Sequence, residues 1–191
     1  MIEAFLASFG LVFLAELGDK SMLLAIAFAA RYRPWPVLGG IAIAAFVMLG
    51  LSTLLGAALG AALPERAVAV VGGLVFVGFG LWTLLDDDDD DDDGEETEEL
   101  RSGSVLLGVT LAFLIAEFGD KTMLATLTLA GTQPAVPTWL GAGLGMTAAS
   151  GIAIVLAAAA GARLPERIMR VVAAAAFLLF GVLLVVTGLR G

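Results

Sequence analysis

Long apolar stretches, broken by Gly, Pro and short charged turns, make up nearly the whole of this chain. Six of them fall at about residues 2 to 29, 37 to 61, 67 to 85, 103 to 130, 137 to 161 and 167 to 189. Each approaches or exceeds the roughly 20 apolar residues that carry a helix across the hydrocarbon core of a bilayer. With 60% of its residues hydrophobic, the chain has more apolar surface than a soluble core of this size absorbs. The pattern predicts an all-α integral membrane protein of six transmembrane helices. No Lys or Arg precedes the first stretch and its charges lie inside it, so it is expected to be a span and not a cleaved leader.

The pattern repeats at a fixed offset of 101 residues. Leu63-Pro64-Glu65-Arg66 returns as Leu164-Pro165-Glu166-Arg167, Phe79-Gly80 as Phe180-Gly181, and Pro36 as Pro137. Gly40, Gly50 and Gly60 return as Gly141, Gly151 and Gly161. One offset covering all of these predicts two homologous units, residues 1 to 85 and 103 to 191, joined by an acidic linker over 86 to 102. Three helices is an odd number, so the second unit must enter the membrane in the opposite sense to the first. Inverted repeats place their substrate and ion sites near the midplane, where the units meet.

Charge enters this picture in two places. Residues 86 to 99 hold twelve of the nineteen acids, including the run Asp86 to Asp93, and a block of like charge is expected to be a solvated tether. Of the Arg residues, Arg31, Arg33, Arg101, Arg163, Arg167 and Arg170 fall on one side and Arg66 and Arg190 on the other. The positive-inside rule then puts the linker in the cytoplasm and both termini outside, in a prokaryotic cytoplasmic membrane. Cys and His are absent, which excludes disulfides, Cys/His zinc sites and a His-based triad. No cofactor and no nucleic-acid partner are expected, and with no GxxxxGK[ST] loop any work must draw on an ion gradient.

The candidate chemistry lies inside the membrane. Glu16-Leu17-Gly18-Asp19-Lys20-Ser21 and Glu117-Phe118-Gly119-Asp120-Lys121-Thr122 occupy the same depth in the first and fourth stretches. Ionisable groups at that depth cost about 2.5 to 3.5 kcal/mol each on insertion scales, and they are kept mainly for function. If the two segments are continuous helices, the acids and the Lys of each motif share a face, and Glu16 with Lys20 and Glu117 with Lys121 form neutralising i, i+4 pairs. Gly18 and Gly119 permit either close approach of a facing helix or local unwinding. Glu16, Asp19, Glu117 and Asp120 would together make a four-carboxylate site for a hard divalent cation. Carboxylates crowded in low dielectric cannot all stay ionised, so the cluster should hold protons until a cation displaces them. Ser21, Thr122, Met22 and Met123 are further candidates for lining this site, a Met sulfur there favouring Mn²⁺ over Ca²⁺ or Mg²⁺. Ser52, Thr53, Thr147 and Ser150 could line an ion path, although hydrogen bonding between helices is the commoner use of such residues.

Paired ExGDK[ST] motifs in two three-helix halves resemble the family of small cation transporters whose members include Golgi and bacterial manganese and calcium/proton exchangers. The resemblance implies export of Mn²⁺ or Ca²⁺ from the cytoplasm against protons, with the motif acids as ligands and no enzymatic activity. Competing readings are an intramembrane aspartyl protease, suggested by Leu17-Gly18-Asp19 and Phe118-Gly119-Asp120, and a membrane scaffold docking through the linker. Against the protease, the adjacent Lys favours ionised Asp over a shared proton. On the tether reading, deleting Asp86 to Asp93 is expected to leave metal flux in proteoliposomes largely intact, with at most weaker apparent affinity at low salt. Complete loss of flux would place the run inside the mechanism.

Overall fold

In the computed structural model, residues 1–17, 19–85, 105–160 and 166–190 are described. The acidic linker and the Leu164-Pro165 pair lie outside them. The described residues form eight α-helices and no strand: α1 (Ile2–Glu16), α2 (Lys20–Arg31), α3 (Pro34–Ala62), α4 (Glu65–Leu85), α5 (Val105–Ala116), α6 (Lys121–Thr132), α7 (Ala135–Ala160) and α8 (Glu166–Arg190). The fold is therefore all-helical as expected. The first and fourth apolar stretches, however, are each divided at the charged motif, α1 from α2 and α5 from α6.

The division has a local cause. Gly and Asp are poor helix formers, and Gly119 sits at φ 84°, a left-handed conformation that cannot continue a right-handed helix. Asp120 follows in extended conformation as the N-cap of α6. The two breaks share a turn: the Asp19 N–H donates to the Glu16 carbonyl and the Asp120 N–H to the Glu117 carbonyl, each at 3.2 Å. Prolines set the other boundaries, with Pro34 in the first turn of α3 and Pro64 immediately before α4.

Helices α3 and α7 are long and apolar enough to cross a membrane by length and composition. Large apolar side chains such as Leu54, Val71, Val155 and Leu179 stand exposed on the outside of the bundle, a surface suited to lipid and not to water. Inside, one core gathers Val12, Phe28, Ile41, Leu49, Phe113 and Met146 around α3. A second places Leu11, Ala15, Ala125 and Leu129 against Phe76 and Phe177.

Close packing of backbones depends on glycine. A Cβ on Gly73 would lie 2.7 Å from the Gly181 carbonyl oxygen, and one on Gly181 would lie 2.7 Å from that of Gly73, so α4 and α8 cross backbone to backbone. The contacts recur at the offset of 101 with partners exchanged. Gly80 approaches Ala174 as Gly181 approaches Gly73; Gly40 meets Leu106 and Val109 where Gly141 meets Phe5 and Ser8. Phe76 and Phe177, equivalent positions themselves, lie against each other with ring centroids 5.8 Å apart. Between α3 and α7 the Trp139 indole donates to the Phe46 carbonyl at 2.8 Å. Thr110 donates from α5 to the Gly40 carbonyl on α3 at 3.1 Å.

Gly73→Val is accordingly expected to destabilise the protein by about 1 to 3 kcal/mol through overpacking, while Gly78→Ala, with nothing within 4 Å of the added carbon, changes little. Thermal unfolding of the two variants in detergent checks this contrast.

Candidate cation site

Both helix breaks open toward the same place, and the acids meet there. Oxygens of Glu16, Asp19 and Asp120 all lie within 4.8 Å of one another, joining the end of α1, the turn before α2 and the N-cap of α6. Two of these acids come from one motif and one from the other. Glu117 stands outside that radius, but it is buried and interacts electrostatically with Glu16, Asp19 and Asp120. The four-carboxylate cluster thus takes the form of three acids drawn together and a fourth beside them.

The broken helices also supply fixed partial charges. Asp19 and Asp120 sit at the N-terminal, positive ends of α2 and α6, where a carboxylate is favoured; α1 and α5 end at the site and turn their negative ends toward it. Discontinuous helices arranged this way offer a cation both side-chain and main-chain oxygens.

Neutralisation runs between the motifs. Lys121 Nζ lies 2.6 Å from Asp19 Oδ2, with both side chains just over four-fifths buried. The i, i+4 pairing of Lys121 with Glu117 assumed a continuous helix, and the break before α6 removes its geometry. The Lys20 side chain lies outside the described residues.

Hydrogen bonding leaves specific atoms open. Glu16, wholly buried, accepts from Ser21 Oγ at 2.7 Å through Oε2, while its Oε1 has no partner. Glu117 Oε2, Asp120 Oδ2 and Thr122 Oγ1 are likewise buried and unpartnered among the described residues, as are the hydroxyls of Ser52 and Ser150. Buried polar atoms are rarely left unpaired, so a cluster of open carboxylate oxygens at one place points to protons or a cation as the missing partners. Thr53 and Thr147, in contrast, donate to the Leu49 and Gly143 carbonyls of their own helices at 2.7 Å, not across helices as expected. Met22 is buried, and Met123 is half-buried with its sulfur 3.4 Å from the Gly119 N–H.

Two features, one of the site and one of the packing around it, were not read from the sequence. One is the Lys121–Asp19 pair, for which a single chain carries no signal at a separation of about a hundred residues. The other is the Phe76–Phe177 contact, which the offset of 101 could have revealed, since one residue type at equivalent positions can meet itself across a two-fold axis.

A site of clustered, membrane-buried carboxylates on interrupted helices defines a cation transporter. The chain matches the family described as "Divalent cation/proton antiporter GDT1" over residues 4–91 and 105–191, and it belongs to that family. A Vibrio cholerae protein whose name proposes manganese export is 32% identical over 88% of this chain and 83% of its own length. A GDT1-like protein of Synechocystis is 31% identical over 95% and 96%, and GDT1-like protein 3 of Arabidopsis thaliana is 27% identical over 95% and 70%. No solved structure matches the chain. The family is one of membrane transporters, and nothing in these likenesses supports a protease.

Ser21→Ala leaves both Glu16 oxygens without partners among the described residues and is expected to cost roughly 1 to 3 kcal/mol. Thr122→Val removes a hydroxyl that has no partner among the described residues and should cost no hydrogen bond. Thermal melting of the metal-free protein separates the two; equal losses would contradict the asymmetry between the halves.

Proposed function

We propose that this protein exports Mn²⁺ from the cytoplasm in exchange for protons, using one site built by both halves of the chain. The observation that carries the proposal is the convergence of Glu16, Asp19 and Asp120 from two motifs onto one centre. Six spans arranged as two inverted three-helix units, with a cytoplasmic linker and both termini outside the cytoplasmic membrane, complete the reading. Its support is the recurrence of helix contacts at the offset of 101 and the distribution of Arg.

The exchange follows from electrostatics. Without a cation the acids are balanced by Lys121 and by protons, since several carboxylates cannot remain ionised together out of water. An arriving divalent ion takes the open oxygens of Glu16 and Asp120, draws Asp19 from Lys121, and expels the protons. Each step occupies the site with one species or the other, which couples the two fluxes. Glu117 holds a further exchangeable proton beside the metal. Hard oxygen donors accept Mn²⁺, Ca²⁺ and Mg²⁺ alike, and the name of the Vibrio relative favours Mn²⁺.

Glu16→Gln, Asp19→Asn and Asp120→Asn should each weaken Mn²⁺ binding by about tenfold or more, at least ~1.4 kcal/mol. Glu117→Gln should abolish proton-coupled efflux with a smaller loss of affinity. Efflux from proteoliposomes under an imposed pH gradient, with voltage clamped by an ionophore, measures both. Full efflux in any of these variants contradicts the shared site.

The pH dependence has a definite sign. Protons occupy the oxygens the metal needs, so apparent Mn²⁺ affinity falls as pH falls, and removing Asp19 or Asp120 flattens the dependence along with weakening binding. Affinity independent of pH in the intact protein would rule out proton competition.

A further inference from the structure

An open groove of about 520 Å³ runs along the outside of the bundle between α3 and α7, lined by Leu38, Leu144, Ala148, Gly151, Val155 and Thr147. It continues into a smaller cavity of about 90 Å³ at Pro34 and Trp35. The hydroxyl of Thr147 is spent on its own helix, which leaves a wall suited to hydrocarbon. From Leu144 to Val155 the groove follows α7 for about 16 Å at the helical rise of ~1.5 Å per residue. That is close to one leaflet, half of the ~30 Å core.

The groove lies where the two halves differ in bulk, Thr147 and Ala148 standing where the other half has Phe46 and Val47. In one half, Trp139 lies over Gly50, its Nε1 3.2 Å from where a Cβ would sit. The equivalent pair in the other half is Leu38 over Gly151, and the smaller side chain leaves the space open.

The two ends differ in charge as well. At the open groove α3 is preceded by exposed Arg31 and Arg33, and Trp35 stands 81% exposed at the mouth. The equivalent positions beside Trp139 are Thr132, Pro134 and Val136, all neutral. So the groove is left open at the basic, tryptophan-marked end and filled at the neutral end. Tryptophan belongs at the headgroup level, and basic pockets at helix ends on the cytoplasmic side favour anionic headgroups.

We propose that this groove holds one acyl chain of an anionic glycerophospholipid, whose phosphate is met by Arg33 and Arg31 at the mouth. In the orientation given above the mouth faces the cytoplasmic leaflet. The lipid braces α3 against α7 in a groove whose lining includes none of the carboxylates, and its binding does not depend on what the carboxylate site carries.

Native mass spectrometry of the full chain in detergent, titrated with phosphatidylglycerol and with phosphatidylcholine of the same acyl chains, tests this. The wild-type protein should retain one phosphatidylglycerol per chain in preference to phosphatidylcholine. Leu38→Trp copies the filled side, with the Thr147 carbonyl at the register position of the Phe46 carbonyl, and should weaken retention of both lipids about tenfold. Arg31→Gln with Arg33→Gln should remove the preference for phosphatidylglycerol and leave phosphatidylcholine retention unchanged. Wild-type retention in a folded Leu38→Trp protein, or an undiminished headgroup preference in the Arg variant, overturns the proposal. So does a dimer that Leu38→Trp dissociates, because the groove would then be an interface between copies.

Discussion

Three carboxylates held within 4.8 Å of one another, one buried and two largely so, cannot exist as three bare charges. The desolvation of each and the repulsion among them must be offset by bound cations or protons. Much of the architecture answers that constraint. The motif helices break so that Asp19 and Asp120 reach the positive ends of α2 and α6, Ser21 binds one oxygen of Glu16, and Lys121 crosses between motifs to Asp19. What remains are buried carboxylate oxygens on Glu16, Glu117 and Asp120 that have no partner among the described residues.

The packing around the site serves the same end. Acids near the middle of each half can meet only if the helices bearing them approach closely, and glycines let them do so. Gly141 admits α1 against α7 at Phe5 and Ser8, Gly40 admits α5 against α3, and Gly73 with Gly181 brings α4 onto α8. With little hydrophobic drive between helices in lipid, such backbone approach and the packing it permits are the main sources of association. Phe76 and Phe177, at equivalent positions, pack against each other in a core shared with Leu11 and Ala15 of α1.

Much of this was legible in the sequence. Each of the six apolar stretches became a helix or a pair of helices, because continuous apolar runs fix helix in lipid more strongly than any local propensity. The acids of the site could be named because a charge inside such a run has few other reasons to be there. Where the helices break was only half legible: Gly18 and Gly119 allowed unwinding, but an isolated ExGDK segment is also compatible with a continuous helix carrying its own Glu–Lys pair. Pairing between motifs was not legible at all. The choice of Asp19 as the partner of Lys121 and the place of Glu117 beside the trio depend on how two halves face each other, which spacing along one chain does not encode.

The central claim is that the two motifs make one site and not two. Equilibrium binding of Mn²⁺ to the purified chain, counted per polypeptide, tests it most directly when repeated with Asp19→Asn and with Asp120→Asn. A shared site predicts one Mn²⁺ per chain in the intact protein and loss of that ion when either half is neutralised. Two ions per chain, or one ion bound at undiminished affinity after either substitution, would contradict it.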